Sequence, residues 1–99
     1  MDDERWPFDD PPNVATITTR KVMSGEHVVD YVTHDQDDGG WQFLSRQAAG
    51  PDTKEAMLVG LANIVSKDPS LAELADLPLG WCAWRRGRGE PWVRARNAH

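Results

Sequence analysis

Cysteine and long apolar runs are scarce in this chain of 99 residues. The single cysteine, Cys82, excludes a disulfide within the chain and fits a reducing compartment. No stretch approaches the roughly 20 apolar residues that are needed to cross a bilayer. The start "MDDERWPFDDPPN" is acidic and broken by prolines, unlike a signal peptide. We therefore expect a cytoplasmic protein with no membrane contact.

Basic residues are also in short supply. There are 16 acidic and 11 basic side chains, which gives a net charge of −5. Residues 1–50 hold ten acidic and four basic residues, whereas residues 51–99 hold six and seven. An acidic chain repels nucleic-acid phosphates and favours a basic partner. Composition thus makes nucleic acid an unlikely partner, and any basic patch is expected near the C terminus.

The chain has the length of one domain, and its 39% hydrophobic content is enough for one modest core. Residues 1–13 mix acidic residues with three prolines, which predicts a flexible acidic arm. Trp6 and Phe8 within this arm could dock on the domain. Residues 14–95 are then expected to form a single domain, with a disordered tail over residues 96–99.

Three β-strands are predicted in the first half of the domain. The runs "VATITTRKVM" and "HVVDYVTHD" are rich in β-branched residues and flank the short polar turn "SGE", which predicts a hairpin. Alternation along the second run favours burial of the face with Val29 and Tyr31. The turn "DQDDGG" and the strand "WQFLS" follow, with Trp41, Phe43 and Ser45 on one face. The predicted arrangement is an antiparallel meander.

Two short helices and two further strands are predicted in the second half. Asp52 or Thr53 can cap a helix over "EAMLVGLANIVSKD", whose apolar residues recur at helical spacing. Asp68 and Pro69 begin a second helix. "GWCAWR" is then a strand, and "PWVRA" a short or edge strand because Pro91 lacks a backbone donor. The predicted class is α+β: a mainly antiparallel sheet, the N-terminal meander plus C-terminal strands, with two short helices packed on one face.

Four motifs in a fixed order give the chain a family resemblance: "DDGGWQFLS" after a hairpin, "NIVSKDPSL", "LADLPLG" and the tryptophan-containing strand that follows. Over roughly residues 17–92 the chain resembles the bacterial domain-of-unknown-function family 2185, also grouped as the immunity protein 33-like family of polymorphic toxin systems. The resemblance implies a single-domain protein that binds and blocks a toxin. Members typically follow the tryptophan strand with glycine and acidic residues, whereas this chain has Arg46 and Gln47.

The acidic turn is the first candidate contact surface. Asp35, Asp37 and Asp38 are hard oxygen ligands, but Gly39 stands at the third alternate position and no late glutamate follows, unlike a calcium loop. We therefore expect no metal. The three acidic residues are predicted to form the turn, protect a sheet edge and meet a basic protein partner.

Catalytic motifs are not recognisable in the sequence. His27 and His34 fall on opposite faces of one predicted strand, which separates them. Cys82 lies between two tryptophans, where burial favours an inert thiol, although the nearby arginines leave a reactive thiol open. The sequence has no phosphate loop, dinucleotide fingerprint or nucleophile elbow. We predict no enzymatic activity and no cofactor.

The stretch "WRRGRGEPWVRAR" is the second candidate contact surface. Arginine pairs with phosphate and tryptophan stacks on unpaired bases, so the stretch could bind single-stranded nucleic acid. It could instead neutralise the acidic arm. Trp41 and Trp81 are expected in the core, whereas interface and core are equally supported for Trp84 and Trp92.

These observations favour a domain that binds a protein partner, with immunity to a toxin as the concrete version and single-stranded nucleic-acid binding as the alternative. The oligomeric state is left open. The candidate partner-binding residues are Asp35, Asp37, Asp38, Trp84, Arg85, Arg86 and Trp92.

Overall fold

A layer of short helices lies on one β-sheet. The computed structural model describes residues 6–46 and 56–97. Its strands are β1 (Ala15–Thr19), β2 (Tyr31–His34), β3 (Trp41–Leu44), β4 (Ala56–Gly60), β5 (Trp81–Trp84) and β6 (Val93–Arg96). Its helices are α1 (Arg20–Met23), α2 (Leu61–Lys67) and a 3₁₀ helix (Pro69–Leu74). No helix in these two ranges is long and apolar enough to cross a membrane.

The sheet has the strand order β4-β1-β3-β2-β5-β6. Every neighbouring pair is antiparallel except β1 and β3, which run parallel. The predicted α+β class with a mainly antiparallel sheet is therefore confirmed, but the predicted meander is wrong because β3 lies between β1 and β2. The reason lies at Thr19, whose side chain accepts from the Val22 N–H at 3.2 Å and caps α1. Since Val22 is buried, the chain leaves the sheet after β1 instead of turning back on it.

The predicted helix over "EAMLVGLANIVSKD" begins only at Leu61, because its first part is β4. β4 pairs with β1 along its whole length, and the Thr16 hydroxyl donates to the Val59 carbonyl at 3.0 Å. Gly60 is extended, at φ −67° and ψ 144°, and serves as the N-cap of α2. Tertiary pairing thus overrides the helical spacing in this stretch. The predicted caps Asp52 and Thr53 lie outside the described residues.

The second predicted helix and the C-terminal strands are found where they were expected. The Asp68 carboxylate accepts from the Ser70 N–H at 3.2 Å, and Pro69 occupies the first turn of the 3₁₀ helix. β6 follows Pro91 and is an edge strand, as a proline at its start predicts.

The hydrophobic core lies between the sheet and the helices. Trp41 of β3 is buried in it, as predicted, and Phe43, which was predicted on the same face, is buried with it. In β2, however, Val32 is buried, whereas Tyr31 is half-exposed on the opposite face. Val29 is also buried, but it precedes the regular strand, so strict alternation does not extend from Val29 to Tyr31.

The N-terminal segment from Trp6 onward takes part in the fold. Phe8 is buried, and its ring centroid lies 5.3 Å from that of Trp41 in an edge-to-face arrangement. The Trp41 Nε1–H donates to the Asp10 carboxylate at 2.8 Å. The part of the predicted flexible arm that the structure describes therefore contributes to the core; residues 1–5 lie outside the described part.

The predicted C-terminal tail also begins inside the sheet. Arg96 closes β6, and the Asn97 N–H donates to the Gly80 carbonyl at 2.7 Å. Residues 98–99 lie outside the described part.

Candidate functional site

The sheet has a second face, turned away from the core, on which strand register aligns side chains in two rows. Residues paired directly across a sheet point to the same face. One row crosses β3, β2, β5 and β6, and consists of Leu44, Tyr31, Trp84 and Val93. The other crosses all six strands, and consists of Leu58, Ile17, Gln42, Thr33, Cys82 and Ala95. We call these two rows the open face.

The open face exposes large apolar side chains. Among the described residues, the exposed large hydrophobics are Ile17 (38%), Leu58 (69%), Leu79 (52%) and Val93 (49%). All except Leu79 belong to the open face. None of the residues in the two rows is charged. Exposed apolar side chains that lie on one uncharged sheet face commonly mark an interaction site.

The polar side chains in the middle of the open face are buried or half-buried. Thr33 and Cys82 are buried, and Tyr31 is half-buried. Burial raises the pKa of Tyr31 above its ordinary value, and the nearby Cys82 and Asp35 raise it further. Tyr31 therefore stays neutral at physiological pH, and the surface that remains outside is mainly apolar.

The acidic turn between β2 and β3 borders one end of the open face. The Gly39 N–H donates to the Asp35 carbonyl at 2.9 Å, and Gly39 has a φ of +72°, which glycine adopts without steric cost. The Asp38 carboxylate accepts from the Gly40 N–H, and the Asp35 carboxylate accepts from the Gln42 amide, both at 2.8 Å. Asp35 and Asp38 thus shape the turn.

Asp37 is exposed at this turn. No group of three or more histidine, cysteine or carboxylate side chains within residues 6–46 and 56–97 is placed to hold a metal ion.

Arg85, a candidate partner contact in the sequence, lies in the interior instead. Its side chain is 1% exposed and forms a 2.7 Å ion pair with Asp68. Its Nε and Nη2 both donate to the Val29 carbonyl, at 3.0 and 2.8 Å, and its Nη1 donates to the Ser70 hydroxyl at 2.8 Å. The guanidinium also lies 4.2 Å from the centre of the Trp92 ring. This residue ties β5 to the 3₁₀ helix and to the segment before β2.

Alternation of side chains along the strand is a sequence signal that Arg85 is buried. Trp81, Ala83 and Arg85 alternate along one strand, so a core position for Ala83 places Arg85 on the same side. Charge alone suggested exposure, because arginine is rarely buried unless it is paired. The partner, Asp68, lies 17 positions away in the chain, and only the fold brings the two together.

The ion pair with Arg85 makes stability depend on pH. Burial favours the neutral form of Asp68, but hydrogen bonds from Ser70 and Arg85 outweigh it and hold the pKa of Asp68 below its ordinary value. A carboxyl whose pKa is lower when folded stabilises the protein fully above its unfolded pKa of about 3.9, and this stability is lost as pH falls through the folded pKa.

We therefore expect the free energy of unfolding to fall below about pH 4 with a steeper slope in the wild type than in Asp68→Asn. Urea denaturation at a series of pH values measures both slopes. Equal slopes would show that Asp68 does not contribute in this way.

The C-terminal arginine and tryptophan residues do not form one strip. Trp92 is half-buried against the core, whereas Trp84 lies on the open face beside Tyr31. Arg94 turns to the helix side, where it pairs with Asp76 at 2.8 Å. The hydrogen bond from Arg94 and the positive charge of Arg94 lower the pKa of Asp76 below its ordinary value. Arg85 is buried, Arg94 lies on the helix side and Trp84 lies on the open face. The stretch that could bind nucleic acid therefore does not form one continuous surface.

The remaining exposed arginines near this end include Arg86, which follows Trp84 by two positions. Trp84 and Arg86 are therefore the members of the C-terminal candidate set that stay accessible. Of the two tryptophans that the sequence left undecided, Trp84 is on the open face and Trp92 is turned toward the core.

A pocket of about 380 Å³ lies on the helix side, between the N-terminal segment and the stretch after the 3₁₀ helix. His34 lines it and stacks on Trp41 with a ring separation of 3.9 Å. The His34 Nδ1 donates to the Leu77 carbonyl at 2.7 Å, since a carbonyl can only accept. Asp10 and Asp76 also line the pocket, but they bond to Trp41 and Arg94. His34, Asp10 and Asp76 thus serve contacts within the fold.

Fold and site together define a two-layer α+β domain, and no helix or strand within residues 6–46 and 56–97 covers the open face. No family model matches the chain, and neither a curated protein nor a solved structure does.

Proposed function

We propose that this chain is a non-enzymatic protein-binding domain that works through the open face. The observation that carries the proposal is the exposure of Ile17, Leu58 and Val93 on one uncharged sheet face. Covering apolar surface releases about 25 cal/mol per Å², so such a face gains free energy when a partner covers it. The resemblance to immunity proteins gives the partner its concrete form, a bacterial toxin.

The aromatic row supplies anchors for such a partner. Trp84 stands directly opposite Tyr31 on one side and Val93 on the other, and Leu44 extends the row beyond Tyr31. Tryptophan and tyrosine dominate binding energy at interfaces because they bury a large area with few rotatable bonds. With strands about 4.8 Å apart, the six-strand row extends over roughly 24 Å. That length suits the central part of a protein interface.

Charges at the two ends of the open face favour one orientation of the partner. The acidic turn with Asp35, Asp37 and Asp38 lies at one end of β2 and β3. At the opposite ends of these strands, Arg86 follows Trp84 of β5, and Arg46, which pairs with Asp30 at 3.6 Å, follows Leu44 of β3. Because β3 and β5 both pair antiparallel with β2, these two ends lie on the same side of the sheet. A partner with basic groups at one end and acidic groups at the other would be steered into place.

Trp84→Ala is expected to weaken binding of the partner by at least tenfold, because it removes the central anchor of the open face. The partner is first isolated from a lysate of the source cell with the wild-type chain and identified. Its affinity for each variant is then measured by titration calorimetry. Asp37→Ala is the matched control on the rim, and we expect it to change mainly the association rate and its salt dependence.

Two results would contradict the proposal. One is equal affinity of the wild type, Trp84→Ala and Val93→Lys for the isolated partner. The other is recovery of single-stranded nucleic acid whose binding is lost with Arg86→Ala and Arg88→Ala, which would support the alternative function.

A further inference from the structure

The two edges of the sheet differ in how they are protected. β6 carries Arg94 and Arg96 and starts two residues after Pro91, and charged residues and proline both discourage another strand from pairing. β4 at the other edge has the sequence AMLVG, with no charge and no proline. Within the described ranges, no strand lies beyond β4. Leu58 at its centre is the most exposed of the large hydrophobic side chains that the structure describes.

The backbone of β4 presents hydrogen-bonding groups along this edge that no other described strand pairs with. In an antiparallel pair, alternate residues turn their N–H and C=O groups toward the neighbouring strand. The Leu61 N–H donates to the Val14 carbonyl at 2.9 Å, and the Val59 carbonyl accepts from the Thr16 hydroxyl. Odd-numbered positions therefore face β1. The even-numbered residues that face outward are Ala56, Leu58 and Gly60.

We propose that a second copy of this chain pairs with β4, antiparallel and about a two-fold axis at Leu58. The Leu58 N–H of each copy then donates to the Leu58 carbonyl of the other. The Gly60 N–H of each copy reaches the Ala56 carbonyl of the other, while the Gly60 carbonyl is left for the first turn of α2. The two sheets become one continuous sheet, and the two open faces lie side by side.

A second copy fits this edge because the outward groups are symmetric about Leu58. A two-fold interface must be self-complementary, and here Met57 stands opposite Val59 while Leu58 stands opposite itself. All of these side chains are apolar, so no like charges meet across the axis. The pairing also brings the two exposed Leu58 side chains next to each other on the same face.

The two-fold axis allows a specific test by exchange of charge. Sedimentation velocity is run over a series of protein concentrations on the wild type, Leu58→Lys, Leu58→Glu and an equal mixture of the two variants. We expect the wild type to shift from 11.1 kDa toward twice that mass as concentration rises. Each variant alone places like charges opposite each other, and its dimer dissociation constant should rise at least tenfold. The mixture should restore a dimer, since lysine then faces glutamate.

Two further variants separate edge pairing from contact through the open face. Leu58→Pro removes an outward N–H without breaking a bond to β1, so it should abolish the dimer while circular dichroism still shows the native sheet. Val93→Lys places a charge on the open face far from β4 and should leave the dimer unchanged.

Three outcomes would overturn the proposed pairing. They are a wild type that stays monomeric at every concentration, a dimer that survives Leu58→Pro, and a mixture of the lysine and glutamate variants that stays monomeric. The measurement uses the purified chain alone, so its outcome is independent of the partner proposed above.

Discussion

Arg85→Met is expected to lower the free energy of unfolding by about 3–5 kcal/mol, the cost of leaving a buried charge without its partner. The methionine keeps much of the length of the side chain but removes every donor. Asp68, whose side chain is only 7% exposed, would lose its cation, and the Val29 carbonyl would lose both guanidinium bonds. Urea denaturation measured by circular dichroism gives the change.

Two companion variants test the cause of this loss. Arg86→Met alters an exposed neighbour and should change stability by no more than about 0.5 kcal/mol. The double variant Arg85→Met with Asp68→Leu removes both charges, and we expect it to recover most of the loss, because apolar replacement of a whole buried pair is often neutral or stabilising. A double variant less stable than Arg85→Met alone would show that the charge left on Asp68 is not the main cost.

Phe8→Ala is expected to lower the free energy of unfolding by about 3 kcal/mol, since truncating a buried phenylalanine removes apolar area and leaves a cavity. Phe8 lies between Trp6 and Trp41, with ring separations of 5.4 and 5.3 Å. Losing it would loosen the N-terminal segment from the sheet. Equilibrium urea denaturation followed by circular dichroism measures the change in stability.

The matched control for Phe8 is its exposed neighbour. Pro7→Ala changes a residue that contributes little to the core, so its midpoint of denaturation should stay close to that of the wild type. If Phe8→Ala were as stable as Pro7→Ala, the N-terminal segment would not be docked in solution.

Local sequence patterns predicted the structure correctly where the backbone preference of one residue type decided it. A proline at a helix start and an aspartate cap predicted the 3₁₀ helix from Pro69, and Pro91 predicted an edge strand. The glycines of the acidic turn predicted the reversal between β2 and β3, where Gly39 has a positive φ that glycine reaches without strain.

Local patterns failed where two structures compete for the same residues. The apolar spacing around Leu58 fits a helix, but pairing with β1 makes the first part of that stretch a strand. The β-branched run before Arg20 fits a hairpin, but the Thr19 cap ends the strand and starts α1. The first outcome depends on pairing between distant parts of the chain, and the second depends on the burial of Val22 in α1.

The amino-acid sequence by itself determined the α+β class, the turn at the acidic residues, the edge position of the last strand and the core roles of Trp41 and Phe43. These follow from alternation, glycine and proline geometry, and the need to bury aromatic area. Strand order, the interior position of Arg85 and the gathering of Ile17, Leu58 and Val93 on one face were decided only by tertiary structure. Each depends on register between strands far apart in the chain, and register is set by the packing of the whole sheet on its helices.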